Sequence, residues 1–234
     1  MVGLRLNTRK PWASQLGRVK GQTVRRLRRY GKYILADLDN GLLAIHLGMT
    51  GRLLAGAAPG PYTRAVLLLE GETVVFDDVR QFGSMRWLPE EPAGLGPDAL
   101  SVPAAAFLER LEGRRTRLKA LLLDQAFLRG LGNIYADESL FRAGVHPLAA
   151  SGRLNKQRAL RLHAAIQEVL GEAVEAGGSS VSDYVDADGR SGWFQFRHRV
   201  YQKTGEPCMV CGTPIRRILV AQRGTHFCPR CQRR

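Results

Sequence analysis

The sequence predicts an α+β protein with a β-rich first part, a helical second part and a small metal-binding hairpin at its C-terminus. Alternating apolar residues and hairpin turn signals fill most of the first 90 residues. Helical periodicity replaces this alternation after a segment rich in proline and glycine. We therefore expect a β lobe over residues 1–90, a linker over 91–103, a helical domain over 104–200 and a cysteine-bearing hairpin over 201–234.

A strong excess of positive charge limits the classes of partner that the protein can have. The 234 residues include 35 Lys and Arg against 21 Asp and Glu, which gives a net charge of +14. Such an excess indicates a polyanionic partner, with DNA or RNA ahead of a membrane surface. Hydrophobic residues make up 44% of the chain, enough for a packed core. No apolar run has membrane-spanning length and no signal-peptide pattern opens the chain, so we expect a cytoplasmic protein.

The β lobe is predicted from alternation and from two turns. A strand is expected at Val2–Leu6, and Asn40-Gly41 is a strong hairpin signal. A second hairpin is expected around Glu70-Gly71-Glu72. The chain reads as β from Thr23, and the arginines at the start of this stretch fit either a phosphate-binding edge or a solvated strand face; they are Arg25, Arg26, Arg28 and Arg29.

The helical part is centred on a glycine-rich turn within Gln125–Pro147. Gly130 and Gly132 interrupt the helical pattern, and Asn133 occupies the position of a helix N-cap. A turn of this kind offers unpaired backbone N–H groups and the positive end of a helix dipole, so it suits a phosphate. An ordinary capped helix is the alternative. Further on, Asn155–Ala176 has the apolar stripe of a long amphipathic helix, and Ser179–Arg199 is expected to be irregular.

The four cysteines form two Cys-x2-Cys pairs, Cys208 with Cys211 and Cys228 with Cys231, separated by sixteen residues. This spacing is typical of a zinc ribbon, and four thiolate ligands leave no open position for catalysis. We therefore expect one structural zinc ion. Disulfides are the disfavoured alternative in a cytoplasmic chain. The residues between the pairs predict a β-hairpin that turns at Arg223-Gly224 and presents an arginine at its tip.

Four segments resemble formamidopyrimidine-DNA glycosylase, the bacterial repair enzyme of the helix–two-turn–helix class. They are HLGMTGRL (46–53), DVRQFG (78–83), GLGNIYADESLFRAGVHP (130–147) and VYQKTGEPCMVCGTPI with QRGTHFCPRCQ (200–232). The resemblance implies an N-terminal β-sandwich lobe that is incomplete here because its first helix is absent. It also implies a helix–two-turn–helix (H2TH) domain and a C-terminal zinc β-hairpin finger.

The family implies a function in base-excision repair. Its members bind duplex DNA, flip out oxidised purines such as 8-oxoguanine and formamidopyrimidines, excise them and cleave the abasic site. The expected partner is therefore double-stranded DNA with oxidised or abasic sites. No membrane partner is expected, and the chain is expected to be monomeric and associated with the nucleoid.

The resemblance assigns roles to six residues. Met49 corresponds to the side chain that fills the space left by the flipped base, Arg80 to the one that reaches the orphaned base, and Phe82 to the wedge between bases. Phosphate contacts correspond to Lys32, Asn133 and Arg223. The segment Gly177–Asp188 corresponds to the loop that closes over the extruded base.

The N-terminus departs from the family pattern. Members begin, after Met removal, with Pro-Glu-Leu-Pro-Glu, whose proline amine attacks the sugar and whose glutamate transfers protons. We therefore assign no certain catalytic residue, keep Lys32 and Arg223 as supporting residues, and expect little glycosylase activity from the polypeptide as written. The amine of Lys32, or that of Met1 or Val2, could in principle replace the missing proline amine as the nucleophile, but we disfavour both alternatives.

The remaining carboxylates match no catalytic position of the family: Asp77, Asp78, Asp137 and Glu138. We expect Asp137 and Glu138 to support the helix N-terminus instead. The favoured hypothesis is a glycosylase and AP lyase whose recorded start lies downstream of the true one. The alternative is a catalytically inactive protein that binds damaged or abasic DNA. A basic zinc-ribbon protein of RNA would explain the charge and the cysteines but not the glycosylase motifs.

Overall fold

The computed structural model of the chain describes residues 3–181 and 184–234. It divides into two compact units, each with its own core. The first unit extends to Ala93 and also includes Ala176–Gln195, and the second comprises Gly94–Glu175 and Phe196–Arg234. Strands and helices are both present, which confirms the expected α+β class.

The first unit contains two four-stranded antiparallel sheets. One has the order β1-β6-β7-β5 and the other the order β2-β3-β4-β8. The strands are β1 (Gly3–Leu6), β2 (Val24–Tyr30), β3 (Tyr33–Leu38), β4 (Leu42–His46), β5 (Gly51–Ala55), β6 (Thr63–Leu69), β7 (Glu72–Asp78) and β8 (Ser84–Leu88). The expected turns at Asn40-Gly41 and at Glu70–Glu72 join β3 to β4 and β6 to β7.

A 3-10 helix follows β1, over Pro11–Val19, where our reading of the sequence expected no helix. Leu16 and Val19 are fully buried, and Trp12 lies edge-on to Phe76 with ring centroids 6.1 Å apart. The helix therefore contributes to the same core as both sheets.

Three of the four arginines of β2 make hydrogen bonds within the protein; one of them, Arg29, donates to the Gly31 carbonyl at 3.1 Å. Arg25 pairs with Asp39, and Arg28 bonds to both Asp37 and Glu91. Hydrogen bonds from Arg28 hold the pKa of Asp37 below its ordinary value, although burial opposes them. These contacts favour the solvated strand face over a phosphate-binding edge.

The second unit contains four α-helices and the cysteine hairpin. The helices are α1 (Ala104–Leu111), α2 (Leu118–Leu123), α3 (Asn133–Arg142) and α4 (Lys156–Glu175). Their apolar faces share one core. Arg142 of α3 forms a two-pronged ion pair with Glu172 of α4, with N···O distances of 2.5 and 2.8 Å. Among the described residues, no helix combines the length and the apolar character needed to cross a membrane.

The hairpin consists of β9 (Arg216–Val220) and β10 (Arg223–Phe227). Val220 is directly opposite Arg223, so the turn residues are Ala221 and Gln222. Both have positive φ, 48° and 59°, as a two-residue type I′ turn requires. The predicted turn at Arg223-Gly224 is therefore wrong by two residues. Arg223 is instead the first residue of β10, and its side chain is exposed.

Candidate nucleic-acid interface

Met49 and Phe82 lie on two loops whose backbones touch. Met49 is in the β4–β5 turn and Phe82 in the β7–β8 loop, and their side chains are 51% and 62% exposed. Gly48 has φ +65°, and a Cβ added to it would lie 2.6 Å from the Gly83 nitrogen. Only glycine allows this approach. Two large apolar side chains therefore share one solvent-facing surface.

Arg80 lies on the same surface. Its guanidinium contacts the sulfur of Met49, and its backbone N–H donates to Thr50 Oγ1 at 3.1 Å. Gln81, between Arg80 and Phe82, has φ +55°, which is uncommon for a residue with a side chain. The structure therefore brings together the three residues that the sequence assigned to base contacts.

A buried carboxylate joins these two loops. Asp78 is 1% exposed, and its Oδ1 accepts a hydrogen bond from Thr50 Oγ1 at 2.5 Å. Its Oδ2 accepts one from the Gly83 N–H at 2.7 Å. Asp78 thus has a structural role between the two loops. This agrees with the observation that it matches no catalytic position of the family.

Lys32 lies in the turn between β2 and β3 and is exposed. Its neighbour Tyr33 pairs with His46, the last residue of β4. Burial, together with the charges of Lys32 and Arg86, lowers the pKa of His46. His46 Nδ1 accepts a hydrogen bond from the Gly48 N–H at 3.1 Å, which fits a neutral imidazole. Lys32 therefore supplies positive charge near the Met49 turn.

The two-turn segment between α2 and α3 is held by one side chain that our sequence reasoning missed. Gln125 Oε1 accepts from the Gly130 N–H at 2.9 Å, and its Nε2 donates to the carbonyls of Leu123 and Leu131, both at 3.1 Å. This amide fixes the path of the chain into α3, where the first N–H groups of the helix lack intrahelical partners.

Asn133 is the first residue of α3, and Gly132 is the N-cap, so the predicted N-cap role of Asn133 is wrong. Its Nδ2 instead donates to the Gly224 carbonyl of β10 at 3.1 Å. Its Oδ1 is buried and has no hydrogen-bond partner among the described residues. Gly132 has the extended backbone usual for an N-cap, with φ −109°, and the helix has no side-chain cap hydrogen bond.

Asp137 and Glu138 are buried in the middle of α3, so the expectation that they support its N-terminus is wrong. Asp137 pairs with the buried Lys119 of α2 and accepts from the His226 N–H of β10 at 2.9 Å. Glu138 accepts from three successive backbone N–H groups, those of residues 199–201, at 2.8 to 3.1 Å. Burial nevertheless raises the pKa of Glu138. Both carboxylates tie α3 to the C-terminal hairpin and its entry segment.

The four cysteine sulfurs lie within 4.8 Å of one another. The Cys208–Cys231 and Cys211–Cys228 sulfur distances are 3.9 and 3.5 Å, close to the edge of about 3.8 Å expected for four thiolates around Zn²⁺. Hydrogen bonds from Thr213 lower the pKa of Cys211 to about 6, whereas burial raises the pKa of Cys228 and that of Cys231. The fit to a metal therefore rests on the positions of the four sulfurs. The residues therefore fit a closed tetrahedral zinc site.

Two backbone hydrogen bonds join the start of the Gly177–Asp188 loop to the chain that follows the loop. The N–H groups of Trp193 and Phe194 donate to the carbonyls of Ala176 and Gly178 at 2.8 and 3.0 Å. Ser182 and Asp183 of this loop lie outside the described residues, as do Met1 and Val2, the alternative sources of a primary amine at the N-terminus.

Three segments of the chain match families of known proteins. Residues 5–85 match the formamidopyrimidine-DNA glycosylase N-terminal domain, and residues 95–185 match the formamidopyrimidine-DNA glycosylase H2TH domain. Residues 205–234 match a zinc finger found in FPG and IleRS. The chain is 56% identical to the formamidopyrimidine-DNA glycosylase of Solibacter usitatus over 93% of this chain and 84% of that protein. The chain belongs to the formamidopyrimidine-DNA glycosylase family.

This chain is also similar in sequence and structure to other glycosylases of the family. The Thermus thermophilus protein is 47% identical over 91% of this chain and 84% of its own length. The crystal structure of MutM (Fpg) from that organism has a TM-score of 0.85, at 46% identity, over 91% of this chain and 84% of that one. A complex of Lactococcus lactis Fpg with abasic-site DNA has a TM-score of 0.89, at 31% identity, over 99% of this chain and 91% of that one.

Family membership confirms the predicted glycosylase class, the H2TH domain and the zinc finger with its one structural zinc. Several positioning residues escaped our sequence reasoning, namely Thr50, Lys119, Gln125 and His226. Lys119 left a usable signal, since it is a charged residue on the apolar face of α2. The others left none, because their hydrogen bonds depend on how separate segments come together.

Proposed function

We propose that this glycosylase acts in base-excision repair by binding duplex DNA at oxidised purines or abasic sites, with Met49, Arg80 and Phe82 entering the duplex. The placement of these three side chains on two touching loops carries the proposal. Solved family members include complexes with DNA containing Fapy-dG or an abasic site. A DNA-repair role also implies association with the nucleoid in the cytoplasm.

The chemistry of the three side chains suits an opened base pair. Met49 is unbranched and flexible, so it can fill the space that a flipped base leaves. Phe82 offers a flat apolar face that can wedge between stacked bases. Arg80 carries a planar fork of donors suited to the acceptor edge of an unpaired base. Together they replace the contacts that the duplex loses when a nucleotide is extruded.

Phosphate contacts are assigned to Lys32, Asn133 and Arg223. Asn133 stands at the N-terminus of α3, where the helix dipole favours an anion, and it bonds to Gly224 beside Arg223. Asn133 and Arg223 are thus held next to each other by the structure of the second unit. They would position the protein on any duplex, because phosphate contacts carry no sequence information.

Binding measurements test the proposal. The affinity of the 234-residue chain is measured for two duplexes that differ only in one abasic-site analogue. Met49→Ala and Phe82→Ala should lower the preference for the abasic duplex and leave the affinity for the intact duplex unchanged. Equal weakening on both duplexes would contradict the base-contact roles. Leu27→Ala, which removes another exposed apolar side chain, is the matched control.

Borohydride trapping on the same abasic duplex separates cleavage from recognition. Borohydride reduces a Schiff base, so only an enzyme amine joined to the sugar becomes permanently linked. A trapped complex would show that an amine of these 234 residues performs lyase chemistry, and Lys32 and the N-terminal amine would be mapped first. Specific binding without trapping would show that this polypeptide recognises the site without cleaving it.

A further inference from the structure

The side chains of Thr50 and Asp78 form one buried contact between the two loops that carry the base-contacting residues. We infer that this Thr50–Asp78 pair is the positioning element for damage recognition, and that it holds Met49, Arg80 and Phe82 in their binding arrangement before DNA arrives. The inference rests on the proposed roles of those three residues.

The hydrogen bonds converge on one hydroxyl and one carboxylate. Thr50 Oγ1 donates to Asp78 Oδ1 at 2.5 Å and accepts from the Arg80 N–H at 3.1 Å. Asp78 Oδ2 accepts from the Gly83 N–H at 2.7 Å. Arg80 is therefore held through its own backbone N–H. Met49 and Phe82 are each next to a residue that the pair holds, Thr50 and Gly83 respectively.

Burial protects the hydrogen bonds of Thr50 and Asp78 from competition by water. Thr50 and Asp78 are 6% and 1% exposed, so water cannot readily replace their hydrogen bonds. Other hydrogen bonds hold each segment separately: the Gly48 N–H donates to His46 Nδ1 at 3.1 Å, and Arg64 Nε donates to the Asp78 carbonyl at 2.9 Å. The Thr50 hydroxyl, in contrast, bonds from the β4–β5 turn to both Asp78 and Arg80. Gln81 also has a left-handed backbone, which persists only where neighbouring contacts impose it.

The expected consequence is a loss of discrimination. Side chains that must enter a duplex bind best when their ordering is complete beforehand, since ordering on binding costs affinity. If the Thr50 hydroxyl is removed, the two loops lose their shared fixed point while the phosphate-binding residues of the second unit are unchanged. The preference for an abasic site should fall, and the affinity for intact duplex should stay.

Thr50→Val tests this inference, because valine keeps the shape of threonine and removes the hydroxyl. We expect the ratio of affinities for abasic and intact duplex to fall roughly tenfold, the scale of one hydrogen bond to a charged group. Thr50→Ser, which restores the hydroxyl, should recover the ratio. In the Thr50→Val background, Met49→Ala should lower the ratio less than it does in the unaltered chain.

The matched control is Thr63→Val. Thr63 is also buried, and its Oγ1 donates to Asp77 Oδ1 at 2.7 Å in the same sheet, but this pair holds the loop at Gly60 instead. Thr63→Val should cost similar stability and leave the ratio unchanged. If Thr50→Val unfolds the chain at the assay temperature, the ratios of all variants are measured at a lower temperature at which Thr50→Val is folded.

An unchanged ratio in Thr50→Val, or a ratio that Thr63→Val lowers equally, would overturn the positioning role. The result would leave the proposed function standing if Met49→Ala and Phe82→Ala still lower the ratio. If those two substitutions have no effect either, the proposed base-contact roles fail, and the positioning role fails with them.

Discussion

Asp137 accepts a hydrogen bond from the backbone N–H of His226 at 2.9 Å, across 89 residues of sequence. Its other carboxylate oxygen pairs with Lys119, whose side chain is wholly buried. One carboxylate therefore joins α2, α3 and the zinc hairpin, and it lies one helical turn after Asn133 of the proposed phosphate-binding surface. Burial lowers the pKa of Lys119, and the Asp137 charge opposes that shift.

Asp137→Ala should strongly destabilise the second unit. The substitution leaves the Lys119 ammonium buried without its counter-ion, and breaking a buried pair in this way costs about 3–5 kcal/mol. Urea unfolding followed by helical circular dichroism measures the loss. Asp188→Ala, which breaks an exposed pair with Arg190, is the control and should change stability by less than about 0.5 kcal/mol. Comparable effects of the two substitutions would contradict the proposed importance of Asp137.

Arg223→Ala should weaken binding to every duplex by a similar factor. The lost contact is with a phosphate, so the slope of log affinity against log salt should become shallower by about 1. Fluorescence anisotropy at several salt concentrations measures this slope. Arg161→Ala is the control, because Arg161 lies beside Ala143 and Gly144, at the opposite end of α3 from Asn133. A change confined to abasic duplexes would assign Arg223 to base contacts instead.

Asn133→Ala should also weaken binding to intact and abasic duplexes alike. Asn133 carries an additional structural role, because its Nδ2 donates to the Gly224 carbonyl. Its substitution should therefore increase hydrogen exchange of the β10 amides, whereas Arg223→Ala should not. Unaltered exchange in β10 would show that the Asn133–Gly224 hydrogen bond does not hold the hairpin.

Cys228→Ser should release zinc and loosen the C-terminal hairpin. Folding of small zinc sites depends on the metal, so four ligands reduced to three should lower both metal content and local order. Metal analysis of the purified chain should give one zinc per molecule, and the variant should give much less. Met209→Ala, an exposed change between two ligands, should retain the metal. A wild-type chain free of zinc would overturn the assignment.

Stability should fall as pH decreases from about 6.5 to 4, because of His198. Burial, assisted by the charge of Lys203, lowers the pKa of His198 to about 4. The unfolded chain therefore binds a proton that the folded chain resists, so stability is complete above the unfolded pKa and is lost toward the folded one. Urea unfolding at several pH values should show a shallower slope for His198→Gln across this window. An unchanged slope would assign the acid sensitivity to other groups.

Local sequence patterns determined the two classes of secondary structure, the zinc ligands and the family. Alternation and Asn40-Gly41 are signals within a few residues, and the Cys-x2-Cys pairs carry their chemistry in their spacing. The motifs around Met49, Arg80, Asn133 and Arg223 likewise predict residues of the proposed DNA-binding surface. These features are readable because each depends on neighbours in the chain.

Only the tertiary structure decided how those residues are held. The Thr50–Asp78 contact spans 28 residues and the Asp137–His226 contact spans 89, so no local pattern announces either. The roles expected for Asn133, Asp137 and Glu138 at the start of α3 were wrong for the same reason. A side chain near a helix terminus can bond to that terminus or to a distant strand, and packing selects the partner by burial, which makes an unpaired polar group costly.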